Sequence, residues 1–330
     1  MKSKWLLLIV ASMLAFTGSC AGSRQAEPIS ETRLLLDTYC TVSIHEPQDR
    51  EILSKALDLC AEYEKLLSIS VEGSDVWRIN HGWGEPVTVA PQTAEIIRAG
   101  LEYGELSGGM FDITIGRLTT LWDFTGKSGV PAEPDIISAR DTVDYRQVII
   151  DGDMVQLTNP EAWIDLGGIA KGYIADKVAE FLREKGVRAA VVDLGGNIVV
   201  VGQKADGSRW NVGITKPFSE RNDLIGIVET SEASVVSSGV YERRFEQDGI
   251  IYHHILDPNT GKPVDSGVTG VTVVSDSSMA GDALSTMILL LGRDRAGAVI
   301  DEVPGIAGAV LVLEGGEVSV YGDVDFHAAE

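Results

Sequence analysis

Asp165-Leu166-Gly167-Gly168-Ile169-Ala170-Lys171-Gly172-Tyr173 is the stretch on which the reading of this chain turns. A carboxylate and a glycine pair lead into a run with helical spacing. Ala170, Ile174, Val178, Phe181 and Leu182 share one face, and Gly186 closes the run. The start of a helix presents unpartnered N–H groups and a partial positive charge, which suits a phosphate. Glycines there let a ligand approach the backbone, and Lys171 stands one turn in. The segment reads as part of a site for a phosphate-bearing ligand.

Working outward, 187–192 and 198–201 read as apolar strands around Asp193-Leu194-Gly195-Gly196-Asn197. The DLGG string therefore occurs twice, at 165 and 193, with different flanks, which is weak support for duplication. Residues 33–45 alternate with period two and predict a strand. Helices are predicted over 50–67 and 92–106, the second ended by Ser107-Gly108-Gly109. A polar turn and short element cover 74–80, and a hairpin over 147–157 turns at Asp151-Gly152-Asp153. Residues 110–122 follow neither periodicity. Further strands fit 208–214, 224–229, 269–275, 308–313 and 317–321, with a last helix over 280–291. The pattern predicts an α+β fold, a single merged body of mixed, largely antiparallel sheets with packed helices over 33–330.

The chain has 330 residues and a formal net charge of −22. That balance argues against nucleic acid, whose binding rests on many Lys and Arg contacts to phosphate. It also means that an anionic ligand needs local help from a cation or from backbone amides. Lys2 and Lys4 precede an apolar run from Trp5 to Phe16 that ends at Thr17-Gly18-Ser19-Cys20. The run is too short for a stable membrane span and has the shape of an export signal. Small residues before a cysteine resemble a bacterial lipoprotein cleavage site, although Thr17 stands where leucine is usual. Residues 1–20 are thus expected to be a signal peptide, with Cys20 lipidated, and 21–32 a tether. The expected location is the extracytoplasmic side of a bacterial membrane, reached by export and held by the lipid. Cys40 and Cys60 both fall on inward-facing positions and read as buried thiols, with a bridge between them as the alternative.

Several segments could carry chemistry. Asp282 and Thr286 in Asp282-Ala283-Leu284-Ser285-Thr286 lie four apart on one helix face. A carboxylate plus a hydroxyl is a hard-oxygen pair suited to Mg²⁺. The same residues also fit a helix-capping aspartate beside a packed threonine. His253-His254 sit on a strand running into Asp257-Pro258-Asn259-Thr260-Gly261. Adjacent strand residues face opposite ways, so one of the two can enter a site, as a general base or as a structural histidine. Ser237-Ser238-Gly239-Val240-Tyr241-Glu242-Arg243-Arg244 reads as a hairpin with guanidinium groups for phosphate, or simply with solvated charges. Met110-Phe111-Asp112-Ile113-Thr114 could wall an aromatic ring system or belong to the core.

Together, in this order, these segments resemble the ApbE family, the FAD:protein FMN transferases, over about residues 33–322. Ser74-Asp75 through Asn80, the run from Gly109 to Gly116 and Gly195-Gly196-Asn197 complete the set. The resemblance implies binding of FAD and Mg²⁺, cleavage of the pyrophosphate, and transfer of FMN to a threonine hydroxyl with release of AMP. The implied acceptors are subunits of ion-pumping redox complexes or extracytoplasmic flavoproteins. It also leaves two alternatives: an FAD pyrophosphatase giving FMN and AMP, or a non-enzymatic flavin-binding lipoprotein. Ala170, through its carbonyl, Asp282 and Thr286 match the family's metal ligands. His254 matches the proposed base, and Asp282 counts with it as catalytic. Leu36, Ser70, Met110, Phe111, Asp112, Gly167, Lys171, Tyr173, Arg243 and Leu256 match positions at or near the nucleotide, with Asp165 as a support. Two departures stand out. Ser70 replaces an aromatic residue of many relatives, and Leu36-Asp37-Thr38 replaces Met-Gly-Thr.

Overall fold

The alternating run at 33–45 is not one strand. β1 (Ile29–Leu35) and β2 (Thr38–Ile44) pair antiparallel, with Leu35 opposite Thr38. Between them Leu36 and Asp37 are both left-handed, at φ 54° and 56°, as a two-residue hairpin turn requires. Two inserted residues leave the period-two phase unchanged, so alternation does not register the turn. β1 begins at Ile29, so 29–32 belong to the folded body and not to the expected tether. The structure is a computed structural model that describes residues 27–125, 129–204, 206–219 and 223–329. The expected signal segment and Cys20 lie outside the described residues. No helix among the described residues is long and apolar enough to cross a membrane.

α1 (Glu51–Leu67), α2 (Asp75–Asn80), β3 (Val87–Thr88), α3 (Pro91–Leu106), α4 (Gly116–Trp122) and α5 (Glu133–Arg140) follow in order. Next come β4 (Val148–Asp151), β5 (Met154–Leu157), α6 (Ala170–Glu184), β6 (Ala189–Leu194), β7 (Asn197–Gly202), β8 (Trp210–Thr215) and β9 (Leu224–Thr230). β10 (Ala233–Gly239), β11 (Arg244–Gln247), β12 (Ile250–His253) and β13 (Val268–Ser275) precede α7 (Ser278–Leu291) and α8 (Arg293–Glu302). β14 (Ile306–Leu313), β15 (Val318–Gly322) and β16 (Phe326–Ala328) close the chain.

An eight-stranded sheet, ordered β1-β2-β6-β7-β10-β13-β14-β15, forms the frame, and its paired strands are antiparallel. Its central strands are apolar on both faces because both faces are covered. Val199, Val201, Val273, Ala309 and Leu311 join the main core with residues of α6 and α7. Val200, Val235, Val274 and Val310 pack instead with Trp210, Val212, Ile214 and Val228 of a three-stranded sheet, β16-β9-β8. Each fully buried valine or leucine contributes about 1.5–3 kcal/mol. The result is a helix–sheet–sheet stack, the α+β architecture that the sequence predicts.

The hairpin expected at 237–244 is absent. β10 enters the middle of the large sheet between β7 and β13, and β11 pairs with β12. Its serines are tolerated there because each hydroxyl is partnered: Ser237 Oγ lies 2.9 Å from Thr272 Oγ1, and Ser238 Oγ lies 2.8 Å from Ser285 Oγ. The two DLGG strings also part company. At 165 the string leads into a helix, and at 193 it turns one strand into the next. What they share is local: Asp165 Oδ1 accepts from Gly167 N, and Asp193 Oδ1 accepts from Gly195 N. That is an aspartate-closed turn, and it needs no duplication. Cys40 and Cys60 are buried free thiols, and burial pushes both up to about 12.

Candidate active site

The site is built on the crossing of α6 and α7. Gly172 allows the crossing, because a Cβ there would lie 2.7 Å from Met279 Cα and closer still to the Ser278 carbonyl. The two helix starts therefore meet in backbone contact. Asp282, 1% exposed, reaches from α7 to the start of α6, where its Oδ2 accepts from Gly172 N at 2.9 Å. Gly172 N–H is one of the helix-start donors with no partner inside its own helix. Asp282 Oδ1 faces Lys171 Nζ at 3.6 Å. Thr286 lies one turn farther along α7, with its Cγ2 3.7 Å from where a Gly168 Cβ would sit. Asp282 and Thr286 of α7 thus both lie against the segment that leads into α6. A carboxylate, a hydroxyl and a carbonyl form a hard-oxygen donor set that fits Mg²⁺ and suits zinc poorly.

The approach to α6 is held from below. Asp165 Oδ2 accepts from Thr119 Oγ1 at 2.7 Å, and Asp165 N donates to Ile113 O at 2.8 Å. Phe111 closes the other side, with Cε2 3.1 Å from a would-be Cβ on Gly168. Phe111, Gly168 and Thr286 are therefore neighbours although they lie far apart in the chain.

Beyond Thr286, α7 continues to Leu290 and Leu291, which line a cavity of about 640 Å³. Met110, Asp257, Thr260, Lys262 and Arg293 line it as well. Met110 Sδ accepts from Asn259 Nδ2 at 3.1 Å, which ties the segment after α3 to the 257–261 turn. Cavities of this size hold small organic ligands.

His254 follows β12 directly, and its backbone N–H donates to Arg243 O at 3.1 Å. Its Nδ1 is enclosed with no hydrogen-bond partner among the described residues. Burial first, then the positive charges of Arg243 and Lys171 and the neighbouring His253, push the imidazole down to about 3. It is neutral at physiological pH and can accept a proton. His253, facing the opposite way, hydrogen-bonds Val264 O through Nε2 at 3.1 Å and is structural. Unfolded histidine titrates near 6.5. Between that pH and about 3 the unfolded chain binds a proton that folded His254 refuses. Its contribution to stability is intact above 6.5 and is lost as pH falls below it. Acid titration of His254→Ala by circular dichroism should show a shallower loss of stability between pH 6 and 4 than the wild type.

Other expected site residues are engaged elsewhere. Tyr173 turns away from the crossing, donating to Glu95 Oε2 at 2.6 Å and lying edge-on to Tyr63. Asp112 spends both oxygens inside the fold, accepting from Thr114 N and Oγ1 and from Tyr145 N, and burial raises its pKa. Leu256 packs with Leu118, Trp122 and Ile136. Arg243 is exposed at the mouth of the β11–β12 hairpin. Leu36 sits in the β1–β2 turn with its N–H donating to Glu64 Oε1. Ser70 is exposed in the 68–74 turn, with its hydroxyl 3.1 Å from Ser68 Oγ. Sequence reasoning missed Asp176 and Ser285. Asp176 on α6 receives the start of α7, and Ser285 Oγ donates to Asp282 O at 2.9 Å. The partners of Asp176 lie across helices, and Ser285 also meets Ser238 of β10, where no local pattern points.

The chain as a whole is matched by known proteins. The ApbE family model matches residues 36–311. The chain belongs to the ApbE family. A Treponema pallidum protein named FAD:protein FMN transferase is 32% identical over 323 residues, spanning 92% of this chain and 89% of that protein. A Klebsiella pneumoniae protein of the same name is 38% identical over 257 residues, 76% of this chain and 79% of that one. Among solved structures, the ApbE protein of Thermotoga maritima superposes with a TM-score of 0.81 at 33% identity, covering 89% of this chain and 97% of its own. The flavin transferase ApbE of Vibrio cholerae gives 0.80 at 27% identity, with 89% and 97% covered. As a member of the ApbE family, the chain is an enzyme of the transferase class.

Proposed function

We propose that this ApbE family member transfers FMN from FAD to a threonine hydroxyl of an acceptor flavoprotein and releases AMP. The observation that carries the reading is the α6–α7 crossing, which brings Asp282, Thr286 and the start of α6 together beside Lys171. Ala170 O, Asp282 and Thr286 would hold Mg²⁺, which supplies charge neutralisation at the pyrophosphate when bound. The Lys171 ammonium would serve the same phosphates, so an acidic protein can hold an anionic dinucleotide, while the Ala170 and Gly172 N–H groups are already given to Leu166 O and Asp282 Oδ2. The cavity beside Met110 and Leu290 has room for one half of that molecule. His254 takes the proton from the threonine hydroxyl, and the threonine oxygen attacks the FMN phosphorus. The bond from that phosphorus to the bridging oxygen breaks, and the bridging oxygen leaves with AMP. A base near 3 is weak, and phosphates arriving nearby raise it by favouring the imidazolium.

We also read residues 1–20 as an export signal, with the mature protein held at the membrane through a lipid on Cys20, where extracytoplasmic acceptors lie. The test is incubation of the purified protein with FAD, Mg²⁺ and an acceptor domain, read by mass spectrometry. One added FMN on an acceptor threonine is expected. FMN and AMP formed at the same rate with or without acceptor, and no adduct, would make the enzyme a hydrolase. Intact FAD throughout would overturn both.

His254→Ala should lower the transfer rate by roughly a hundredfold or more while FAD affinity stays within a few-fold. Stopped assays and FAD titration separate the two, and an unchanged transfer rate would remove His254 as the base. Ser70→Tyr should restore a stacking surface worth about 1 kcal/mol and tighten FAD roughly fivefold. Equal FAD retention in the two proteins would place position 70 away from the nucleotide.

A further inference from the structure

The structure assigns to Asp176 the role of positioning residue for the metal ligands, by tying the start of α7 to α6. This inference rests on the reading above that Asp282 and Thr286 hold a divalent cation. Asp176 lies near the middle of α6, and its carboxylate receives three donors from the chain at the start of α7. Oδ2 accepts from Ser277 Oγ at 2.8 Å and from Met279 N at 3.0 Å, and Oδ1 accepts from Ser278 N at 2.8 Å. In return, Asp282 of α7 accepts from Gly172 N of α6. Each helix thus partners the unsatisfied N–H groups at the start of the other, and the two sets of bonds flank the point where Gly172 lets the backbones touch.

Capping explains part of Asp176, which takes the Ser278 and Met279 N–H groups. α7 already has a local cap in Ser277, whose Oγ accepts from Ala280 N at 3.3 Å. A buried carboxylate is costly, and burial shifts Asp176 toward the protonated form. What the carboxylate adds is the register of α7 against α6. Asp282 stands five residues past Ser277 and Thr286 one turn beyond that. A slip of the first turn of α7 therefore carries both ligands away from Ala170. Groups that orient ligands in this way commonly change metal affinity by about 10–100-fold when removed.

The test uses Mn²⁺ alone as probe, titrated into the purified protein without FAD and followed by electron paramagnetic resonance. Asp176→Asn keeps the size and one acceptor but turns an N–H toward Met279 N. It should weaken Mn²⁺ binding by about 10–100-fold. FAD affinity measured without metal should stay within a few-fold of wild type, and saturating Mg²⁺ should restore kcat. Ser277→Ala removes one of the three bonds together with the cap on Ala280 N and should weaken Mn²⁺ by roughly 2–5-fold. It carries the test if Asp176→Asn fails to fold. Wild-type Mn²⁺ affinity in a folded Asp176→Asn protein, or in Ser277→Ala where that protein does not fold, overturns the inference and leaves the metal reading intact. A wild-type protein that binds no Mn²⁺ overturns the metal reading itself, and the inference with it.

Discussion

Asp282→Ala is expected to abolish magnesium-dependent turnover, with kcat falling by roughly a thousandfold or more. A metal-bound pyrophosphate draws several kcal/mol of charge stabilisation from its cation, and each 1.4 kcal/mol is a factor of ten in rate. The alanine removes the one carboxylate in the proposed ligand set, leaves Gly172 N–H without its acceptor, and strands Lys171 beside a cavity. Two effects are therefore mixed in that variant, lost chemistry and lost stability. Asp282→Asn separates them. An amide oxygen can still accept from Gly172 N, so thermal stability should recover most of the way. The negative charge is gone, so turnover should not recover. Mg²⁺-titrated initial rates together with thermal melts decide it, and full activity in either variant would remove Asp282 from the ligand set.

Gly172→Ala should be among the more damaging changes of a single methyl in the chain. The new Cβ meets backbone on α7, the Ser278 carbonyl and Met279 Cα, and neither can rotate aside as a side chain could. Overpacking of this kind costs about 1–3 kcal/mol, and the upper end applies where only backbone can give way. For a chain of this size that is a fall in Tm of roughly 4–5 °C. The helices must separate, which lengthens the Gly172–Asp282 bond, so metal affinity should drop together with stability. A melting temperature within 1 or 2 °C of wild type, with unchanged metal affinity, would show that the crossing is looser than it stands here.

How far the sequence carries can be judged from particular residues. The helix after the glycine pair begins at Ala170, as its spacing implies, because the aspartate turn and the apolar stripe are both local signals. Asp282 and Thr286 share a face, as four-residue spacing requires. The capping reading of Asp282 holds in altered form, since it partners the start of a neighbouring helix and not of its own. The β1–β2 turn escaped because two left-handed residues preserve the alternation. α5 escaped because Ile136 is its one buried side chain, which leaves no stripe to read. β10 escaped because its serines look solvent-facing until Thr272 and Ser285 are seen opposite them. Asp176 was invisible for the strongest reason. Its partners lie about a hundred residues on, and no periodicity spans that distance.

The mutual partnering of the two helix starts has a consequence for how the molecule opens. Neither end can fray alone, because releasing one leaves a buried carboxylate of the other without its donors, a penalty of about 1–3 kcal/mol for each stranded group. The segment carrying the proposed metal ligands is thus held by bonds that must break together, unlike the mobile loops that bear many enzymes' reactive groups. Selection for a durable core and selection for a working catalyst act here on the same few bonds.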